Sequence, residues 1–292
     1  MSEFFLELFS EEIPAGLQKN LREKIFEDFK NLFEEKSIRS KKNFSFSTPN
    51  RLVLVFEGLD KQIKIRSKEI RGPKTSAPEQ ALEGFLRSNK INKKDLFKKK
   101  TEKDEFYFYK TVATSLKTHD LLTEFIPKIL SNYQWKKSMK WGEFDLNWGR
   151  PLKSILSIFD KKIVSFKFHH LTSSNLTFVD KDFEEKKRSF ENFKKYEKFF
   201  EDNGVIVNQN KRLKIINKSF LKILGKKGLK INENPKLMDE VVNLVDSPNV
   251  LLCKFDKKFL SIPREILTLT MESQQKYFPT FNDKNEITNE FL

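Results

Sequence analysis

The feature that most limits the possible folds is that strand-like and helix-like apolar patterns follow one another along the chain. The stretch EFFLELF begins at Glu3 and alternates, so it predicts a strand with Phe4, Leu6 and Leu8 on one face. The next stretch has apolar residues at helical spacing, with charges between them. These apolar residues are Leu17, Leu21, Ile25, Phe29, Leu32 and Phe33. The pattern favours a fold that contains both element types.

Later segments show the same mixture of patterns. Two strands are predicted to meet at the turn Thr48-Pro49-Asn50, because proline presets a turn and asparagine tolerates one. Another helix should begin at Pro263 and end before Pro279. Pro127 lies inside a further helical pattern and should kink or divide that helix. We therefore expect an α+β fold with mixed sheets and packed helices, and no Rossmann domain.

The length of 292 residues suits two domains or one large mixed domain. The predicted elements divide the chain into an amino-terminal α/β part, residues 1–72, a small basic insertion, residues 73–134, and a remainder, residues 135–292. No apolar run approaches the ~18–20 residues of a membrane span, and no signal peptide is recognisable. The single cysteine, Cys253, has apolar neighbours and is predicted to be buried. A lone cysteine fits a reducing compartment, so a cytoplasmic location is expected.

Basic residues outnumber acidic ones. The chain has 56 Lys and Arg against 41 Asp and Glu, a formal net charge of +15. This excess predicts attraction to polyanions, and a solvated lysine surface is the alternative. One basic cluster is Lys93, Lys94, Lys98, Lys99 and Lys100, and a second is Lys136, Lys137, Lys140, Trp141, Trp148 and Arg150. Both are candidate RNA contacts, because cations neutralise phosphates and aromatic rings stack on unpaired bases.

The sequence contains no recognisable catalytic or metal-binding set. His169 and His170 are neighbours on a predicted strand, so their side chains should point to opposite faces. The pair His119-Asp120 follows Thr118, where an aspartate suits the start of a helix. We therefore predict no catalytic residue and no metal site in this chain.

Several blocks of the chain together form a pattern that no single motif gives. FFLELFSEEIPAGL, STPNRLVLVFEGL, KEIRGP, ALEGFLRSNKI and MKWGEFDLNWGRPLKSILSIFDKKIV follow in that order. The strongest block, from Leu237 to Phe281, contains F-x-x-x-F-L-x-(I/V)-P and then T-M-x-x-x-Q-K-Y-F-P. In this order, and over nearly the whole chain, the blocks resemble those of the bacterial glycyl-tRNA synthetase beta subunits.

The chain departs from the family pattern at three places. Asn50 replaces one arginine of T-P-R-R, and Lys153 replaces the histidine of R-P-(I/V)-H. The G-H-R-F segment is not recognisable in residues 169–180. Family members continue beyond the position of Leu292 into a helical HD-type domain and an anticodon-binding domain. The resemblance therefore implies that the chain is an amino-terminal portion.

The resemblance also implies a fold and a function. Residues 1–72 and 135–292 should form a B3/B4-like module. The complete enzyme joins glycine to tRNA with ATP and Mg²⁺ at a class II active site on its alpha subunit. The chain should therefore bind tRNA(Gly) and the alpha subunit, with no cofactor of its own and no membrane contact.

The residues of the family motifs are the candidate contacts to tRNA or to a partner. They are Arg51, Arg71, Lys140, Trp141, Arg150, Gln275 and Lys276. For Gln275 and Lys276 we favour structural or interdomain packing over RNA contact, because Phe278 and Phe281 are typical core residues. Three alternatives stay open: a free-standing RNA-binding module, an editing-type aminoacyl-tRNA hydrolase, and an assembly subunit that binds no RNA. We expect no editing, since a glycine pocket excludes larger amino acids by steric clash.

Overall fold

A computed structural model describes residues 2–65, 67–101, 104–111, 114–179 and 186–292. Asp180, at the end of the segment that departs from the family pattern, lies outside the described residues. The chain divides into two compact units, Lys61–Leu121 and the combination of Met1–Asp60 with Leu122–Leu292. This division differs from the three predicted segments, whose boundaries stay predictions.

The described residues form the following elements. The strands are β1 (Glu3–Ser10), β2 (Lys42–Ser47), β3 (Arg51–Glu57), β4 (Gln62–Ile65), β5 (Glu69–Lys74), β6 (Leu96–Lys100), β7 (Glu105–Lys110), β8 (Thr114–Lys117), β9 (Leu152–Phe159), β10 (Lys162–Ile163), β11 (Lys167–Phe168), β12 (Leu171–Thr172), β13 (Leu176–Phe178), β14 (Lys187–Ser189), β15 (Lys230–Ile231), β16 (Cys253–Lys254), β17 (Pro279–Phe281) and β18 (Ile287–Phe291). The α-helices are α1 (Ala15–Glu35), α2 (Glu79–Asn89), α3 (Thr118–Asn132), α4 (Phe193–Asp202), α5 (Gln209–Lys227), α6 (Pro235–Leu244) and α7 (Arg264–Leu269). Short 3₁₀ helices span Lys93–Asp95 and Lys257–Ser261, and a π-helix spans Thr270–Gln275.

A five-stranded antiparallel sheet with the order β10-β9-β1-β3-β2 forms the centre of the larger unit. Helix α1 packs on one face, where the ring centres of Phe4 and Phe29 are 5.4 Å apart. Helix α4 packs on the other face, where Phe5 and Tyr196 are 4.9 Å apart. The predicted strand and its following helix are confirmed. The strand has no polar face, however, because helices cover both sides of the sheet and bury residues 4–10 throughout.

A second core joins α5 and α6 to a small sheet with the order β15-β17-β18-β16. Phe278 and Phe281 are both buried, which confirms them as core residues. The helix predicted after Pro263 begins at Arg264 and continues from α7 into the π-helix that ends at Gln275. Phe278, three residues after this helix, therefore belongs to the second core.

The smaller unit contains two antiparallel sheets and one helix. Strand β4 pairs with β8, and β5, β7 and β6 form a three-stranded sheet. Gly72 on β5 lies against α2, because a Cβ there would be only 2.9 Å from the ring of Phe85. A side chain at this position would require the ring of Phe85 to move.

The α+β class is confirmed, with several corrections of detail. Between the described strands the pairings are antiparallel rather than mixed, apart from an isolated parallel bridge between Leu156 and Ser174. Helix α3 runs through Pro127 without being divided. The predicted burial of Cys253 is wrong, since the residue is exposed on the two-residue strand β16. His169 and His170 form the turn between β11 and β12, with His169 at a φ of 51°, so the predicted strand there is also wrong.

Candidate nucleic-acid interface

Positive charge is concentrated in the smaller unit. Within residues 61–121 there are 16 Lys and Arg against 8 Asp and Glu, a net charge of +8. The whole chain carries +15, so about half of the excess falls on these 61 residues. A compact unit with this excess of positive charge is a candidate site for a polyanion.

The three-stranded sheet of this unit places aromatic and basic side chains on one face. Its register sets Phe97 opposite Phe108, and Lys99 opposite Phe106. Arg71 also lies opposite Phe108, on the other neighbouring strand. Because cross-strand partners point to the same side of a sheet, these residues share one face. We call this set, Arg71, Phe97, Lys99, Phe106 and Phe108, the basic-aromatic face.

Close contacts fix the geometry of the basic-aromatic face. The Arg71 guanidinium carbon lies 3.5 Å from the ring centre of Phe106, which is within cation–π range. The rings of Phe97 and Phe108 are stacked with their centres 6.0 Å apart, and Phe97 is 37% exposed. The ammonium nitrogen of Lys99 lies 5.7 Å from the ring centre of Phe108. An exposed ring such as that of Phe97, bordered by cations, can stack an unpaired base while the cations contact phosphates.

Two lysines of this sheet, Lys99 in the face and Lys74 at the end of β5, have exposed acidic partners. Lys99 pairs with Glu69 at 2.9 Å, and Lys74 pairs with Asp104 at 2.7 Å. All four side chains are at least 39% exposed, so water and salt weaken both pairs. Such pairs can open for a phosphate at little cost. Sequence reasoning found the lysines and Arg71 but missed Phe97 and Phe108, although their period-2 alternation in LFKKK and EFYFYK was a usable signal.

Arg51, a predicted contact residue, lies in the interior of the larger unit. Its side chain is 4% exposed, and Nη1 lies 2.5 Å from the Glu7 carboxylate. Nη2 donates a hydrogen bond to the carbonyl of Phe178 at 2.6 Å. The guanidinium also packs on the ring of Phe200, with 4.2 Å to the ring centre. Through these contacts Arg51 connects strand β3 to the segment around β13. Its role in binding stays a prediction.

Lys140, Trp141 and Arg150 lie in or beside a loop that the backbone bridge between Met139 and Trp148 closes. The Lys140 ammonium group is exposed, 3.8 Å from the carboxylate of Asp145. Arg150 is half-buried and donates to the carbonyl of Gly149. Trp141 packs edge-on against His170. The exposed ring of Phe144 stacks on the same histidine, with 3.7 Å between the ring centres. The fold thus brings Trp141 to a surface aromatic group, which the sequence did not predict.

Gln275 and Lys276 lie at the end of the π-helix. Lys276 has a φ of 64° and its ammonium group pairs with Glu240 at 2.9 Å. Gln275 is exposed and lines a groove of about 430 Å³. Apolar side chains form most of its walls: Phe255, Phe259, Ile262, Ile266, Met271 and Tyr277. We call this surface the apolar groove.

Two of the departures from the family pattern make specific contacts. The Asn50 side chain donates to the carbonyl of Ser10 at 3.2 Å and so ties the β2–β3 turn to the end of β1. Lys153 pairs with Glu11 at 2.5 Å, at a partly exposed position. Both residues therefore connect neighbouring strands at one end of the central sheet.

The described residues contain neither a metal-site cluster nor a membrane-spanning helix. No cluster of three or more His, Cys, Asp and Glu side chains with the geometry of a metal site occurs among them. None of the described helices combines the length and the apolar character that crossing a bilayer requires.

Known proteins of one family match nearly the whole length of the chain. The family model described as glycyl-tRNA synthetase beta subunit matches residues 4–292. The glycine–tRNA ligase beta subunit of Rickettsia felis is 36% identical over 294 residues, and that of Rickettsia conorii is 38% identical over 292 residues. Each alignment covers 100% of the chain and 44% of the relative. The chain thus spans less than half the length of these relatives.

Proposed function

Since the chain belongs to the family of glycyl-tRNA synthetase beta subunits, we propose that it supports the attachment of glycine to tRNA(Gly) by binding tRNA and the alpha subunit. The glycine-activating site, with its ATP and Mg²⁺, is assigned in this proposal to the alpha subunit. The chain itself contributes binding surfaces and no reacting group.

The basic-aromatic face is the observation that carries the tRNA-binding proposal. It combines two stacked rings, an arginine on a third ring and a flanking lysine in a unit with a net charge of +8. Unpaired nucleotides at loops and at the 3′ end of a tRNA expose the bases that such rings accept. Paired regions offer phosphates to the surrounding lysines, which adds affinity without sequence preference.

The apolar groove supports the proposal of a protein partner. Phe259, Ile266 and Tyr277 are 44%, 55% and 40% exposed, which is a concentration of apolar surface typical of a protein interface. Two cations at this surface are already paired, Lys254 with Glu290 and Lys276 with Glu240. An RNA backbone would find few free cations there, so we assign this surface to the alpha subunit.

A binding titration tests the tRNA proposal. The double variant Arg71→Gln, Lys99→Gln removes two cations of the face, and we expect weaker binding of a tRNA(Gly) transcript in fluorescence anisotropy. The slope of log affinity against log salt should fall by about 2, because each lost phosphate contact removes close to one unit. The matched control is Lys24→Gln, Lys30→Gln, which removes two surface cations of α1 that pair only along the helix. Equal slopes in both double variants would refute this face as the tRNA site.

Light scattering on a sizing column tests the partner proposal. The chain is mixed with the alpha subunit from the same genome, and a joint peak is expected. Ile266→Asp should abolish the peak, whereas Leu221→Asp, at a 77% exposed position on α5, should leave it intact. Separate peaks for the unmodified chain, together with tight tRNA binding, would instead favour a free-standing RNA-binding module.

A further inference from the structure

A pocket of about 400 Å³ opens where α1, α5 and α6 meet. Lys19 and Arg22 reach it from α1, and Gln209 and Asn210 reach it from the first turn of α5. Asp239 of α6 and Glu23 of α1 also line it, and both acidic residues are exposed. Arg22 is thus the buried cation of the pocket, and the exposed Lys19, Glu23 and Asp239 surround its opening. The pocket shares no residue with the basic-aromatic face or the apolar groove.

Arg22 is the unusual residue of this pocket. It is only 7% exposed, yet no described residue forms an ion pair with it. Its Nη1 donates a hydrogen bond to the hydroxyl of Ser47 at 2.7 Å. Within the described residues, Nε and Nη2 have no such partner, although a buried guanidinium normally has a carboxylate or several acceptors. The remaining donors of the fork are therefore available to a ligand in the pocket.

A second buried arginine increases the positive potential behind Arg22. Arg212 donates to the carbonyls of Val242, Ile206, Val207 and Ser47, at distances from 2.6 to 3.1 Å. Burial first, and then the charge of Arg22, lower the pKa of Arg212 to about 10. Burial likewise lowers the pKa of Arg22, and the charges of Glu23 and Asp239 oppose that effect. An anion next to Arg22 would reduce the repulsion between the two guanidinium groups.

The start of α5 adds a further attractive element. This helix has 19 residues and carries Asn208 as its cap, with Gln209 and Asn210 in the first turn. A helix N-terminus favours a negative group through its dipole. The Asn208 side chain already accepts hydrogen bonds from the backbone N–H groups of Asn210 and Lys211, so these two groups are not available to a ligand. The helix dipole and the Asn210 side chain, which lines the pocket, remain available.

We propose that Arg22, Lys19 and Asn210 form a binding site for a phosphate group. A phosphate fits better than a carboxylate because its oxygens point in several directions, and the donors come from two different helices. The fork of Arg22 binds two of these oxygens, Lys19 neutralises charge at the rim and the Asn210 amide donates to a third oxygen. The phosphate belongs either to a mononucleotide or to an RNA backbone.

Calorimetric titration with inorganic phosphate, at constant ionic strength maintained with chloride, tests this site. We expect one saturable site on the unmodified chain, and binding at least about tenfold weaker in Arg22→Gln, as the loss of a charged bidentate contact requires. Arg22→Lys keeps the charge but not the fork and should lie between the two. Arg39→Gln, which removes an 89% exposed arginine of the same unit, is the matched control and should bind like the unmodified chain.

Circular dichroism checks that the variants fold. Should Arg22→Gln unfold, Lys19→Gln tests the site from an exposed position, and about threefold weaker phosphate binding is expected because one charge contact is lost. Competition by adenosine monophosphate would identify a mononucleotide as the source, and competition by tRNA alone would identify RNA. Absence of saturable phosphate binding, or equal affinity in the Arg22 and Arg39 variants, would overturn the proposal. Neither result bears on the basic-aromatic face, because the tRNA titration of the Arg71 and Lys99 variant is independent.

Discussion

Arginines pack on phenylalanine rings in both units, but with opposite exposure. In the smaller unit, the exposed Arg71 lies on the buried ring of Phe106 in the basic-aromatic face. In the larger unit, Arg51 lies between Phe9 and Phe200, at 4.5 and 4.2 Å from their ring centres. The same type of contact therefore involves an exposed arginine in the smaller unit and a buried arginine in the larger unit. The Arg51 guanidinium donates to Glu7, Thr177 and the carbonyl of Phe178, whereas no such hydrogen bond of the Arg71 guanidinium occurs among the described residues.

The different exposure of these arginines predicts that one affects folding stability and the other affects binding. Arg51 and Glu7 form a buried pair, and loss of one member would leave the other charge without compensation. Among the described residues, the acidic partner of the basic-aromatic face is the exposed Glu69, whose pair with Lys99 contributes little to folding. Substitutions in the two units should therefore affect different measurements.

The largest effect is expected for Arg51→Met. This change leaves the Glu7 carboxylate buried without its cation, and breaking such a pair costs about 3–5 kcal/mol. Urea denaturation should show this decrease in the free energy of unfolding. The matched change Arg71→Met, at an exposed arginine on a ring, should cost less than about 1 kcal/mol. Similar losses in both variants would eliminate the contrast between the units.

Tyr196→Phe should have the next largest effect. The Tyr196 hydroxyl donates to Glu7 at 2.5 Å, and hydrogen bonds to charged groups contribute about 1.5–3 kcal/mol. Burial first, and then the Glu7 charge, raise the pKa of Tyr196 well above its ordinary value of 10.0. Below pH 10 the tyrosine is protonated in both the folded and unfolded states, so its contribution is complete there.

Above that pH the unfolded chain loses the proton while the folded chain keeps it. Stability should then fall by up to about 1.4 kcal/mol per pH unit until the pH reaches the folded pKa. Urea denaturation between pH 9 and pH 11 should show a steeper fall for the unmodified chain than for Tyr196→Phe. Parallel curves would show that Tyr196 titrates as it does in the unfolded chain.

Phe97→Leu should weaken tRNA binding without unfolding the smaller unit. Loss of one stacking ring costs about 1–3 kcal/mol per base, and Phe97 is already 37% exposed. Fluorescence anisotropy with single-stranded RNA should show a larger loss than with duplex RNA. Phe259→Leu, at an exposed position in the apolar groove, is the control and should leave RNA affinity unchanged. An equal loss in both variants would contradict base stacking on this sheet.

The smallest effect is expected for Glu69→Gln. The change removes the acidic partner of Lys99, and the exposed pair contributes less than about 1 kcal/mol to stability. The freed lysine should bind tRNA about twofold more tightly at low salt, and the gain should disappear at high salt. Weaker tRNA binding would mean that Glu69 has a positive role in the interface.

Short-range features of this fold follow from the sequence, whereas contacts between strands do not. The turn at Thr48-Pro49-Asn50 and the helix beginning at Thr118 are confirmed, because turn and cap preferences act over a few residues. Arg71 and the lysine cluster were recognised as basic motifs, but their ring partners were not. Phe97 and Phe108 face each other only through the register of β6 and β7, which is a contact between strands.

The sequence by itself determined the periodic elements, the excess of positive charge and the family, because these depend on residues near one another or on composition. Only the tertiary structure decided which cations are buried and which are exposed. Arg51 contacts Thr177, 126 residues away, and Arg212 contacts Ser47, 165 residues away. Burial is a property of these long-range contacts. A motif arginine can therefore be recognised in the sequence, whereas its partner and its exposure appear only when the chain is folded.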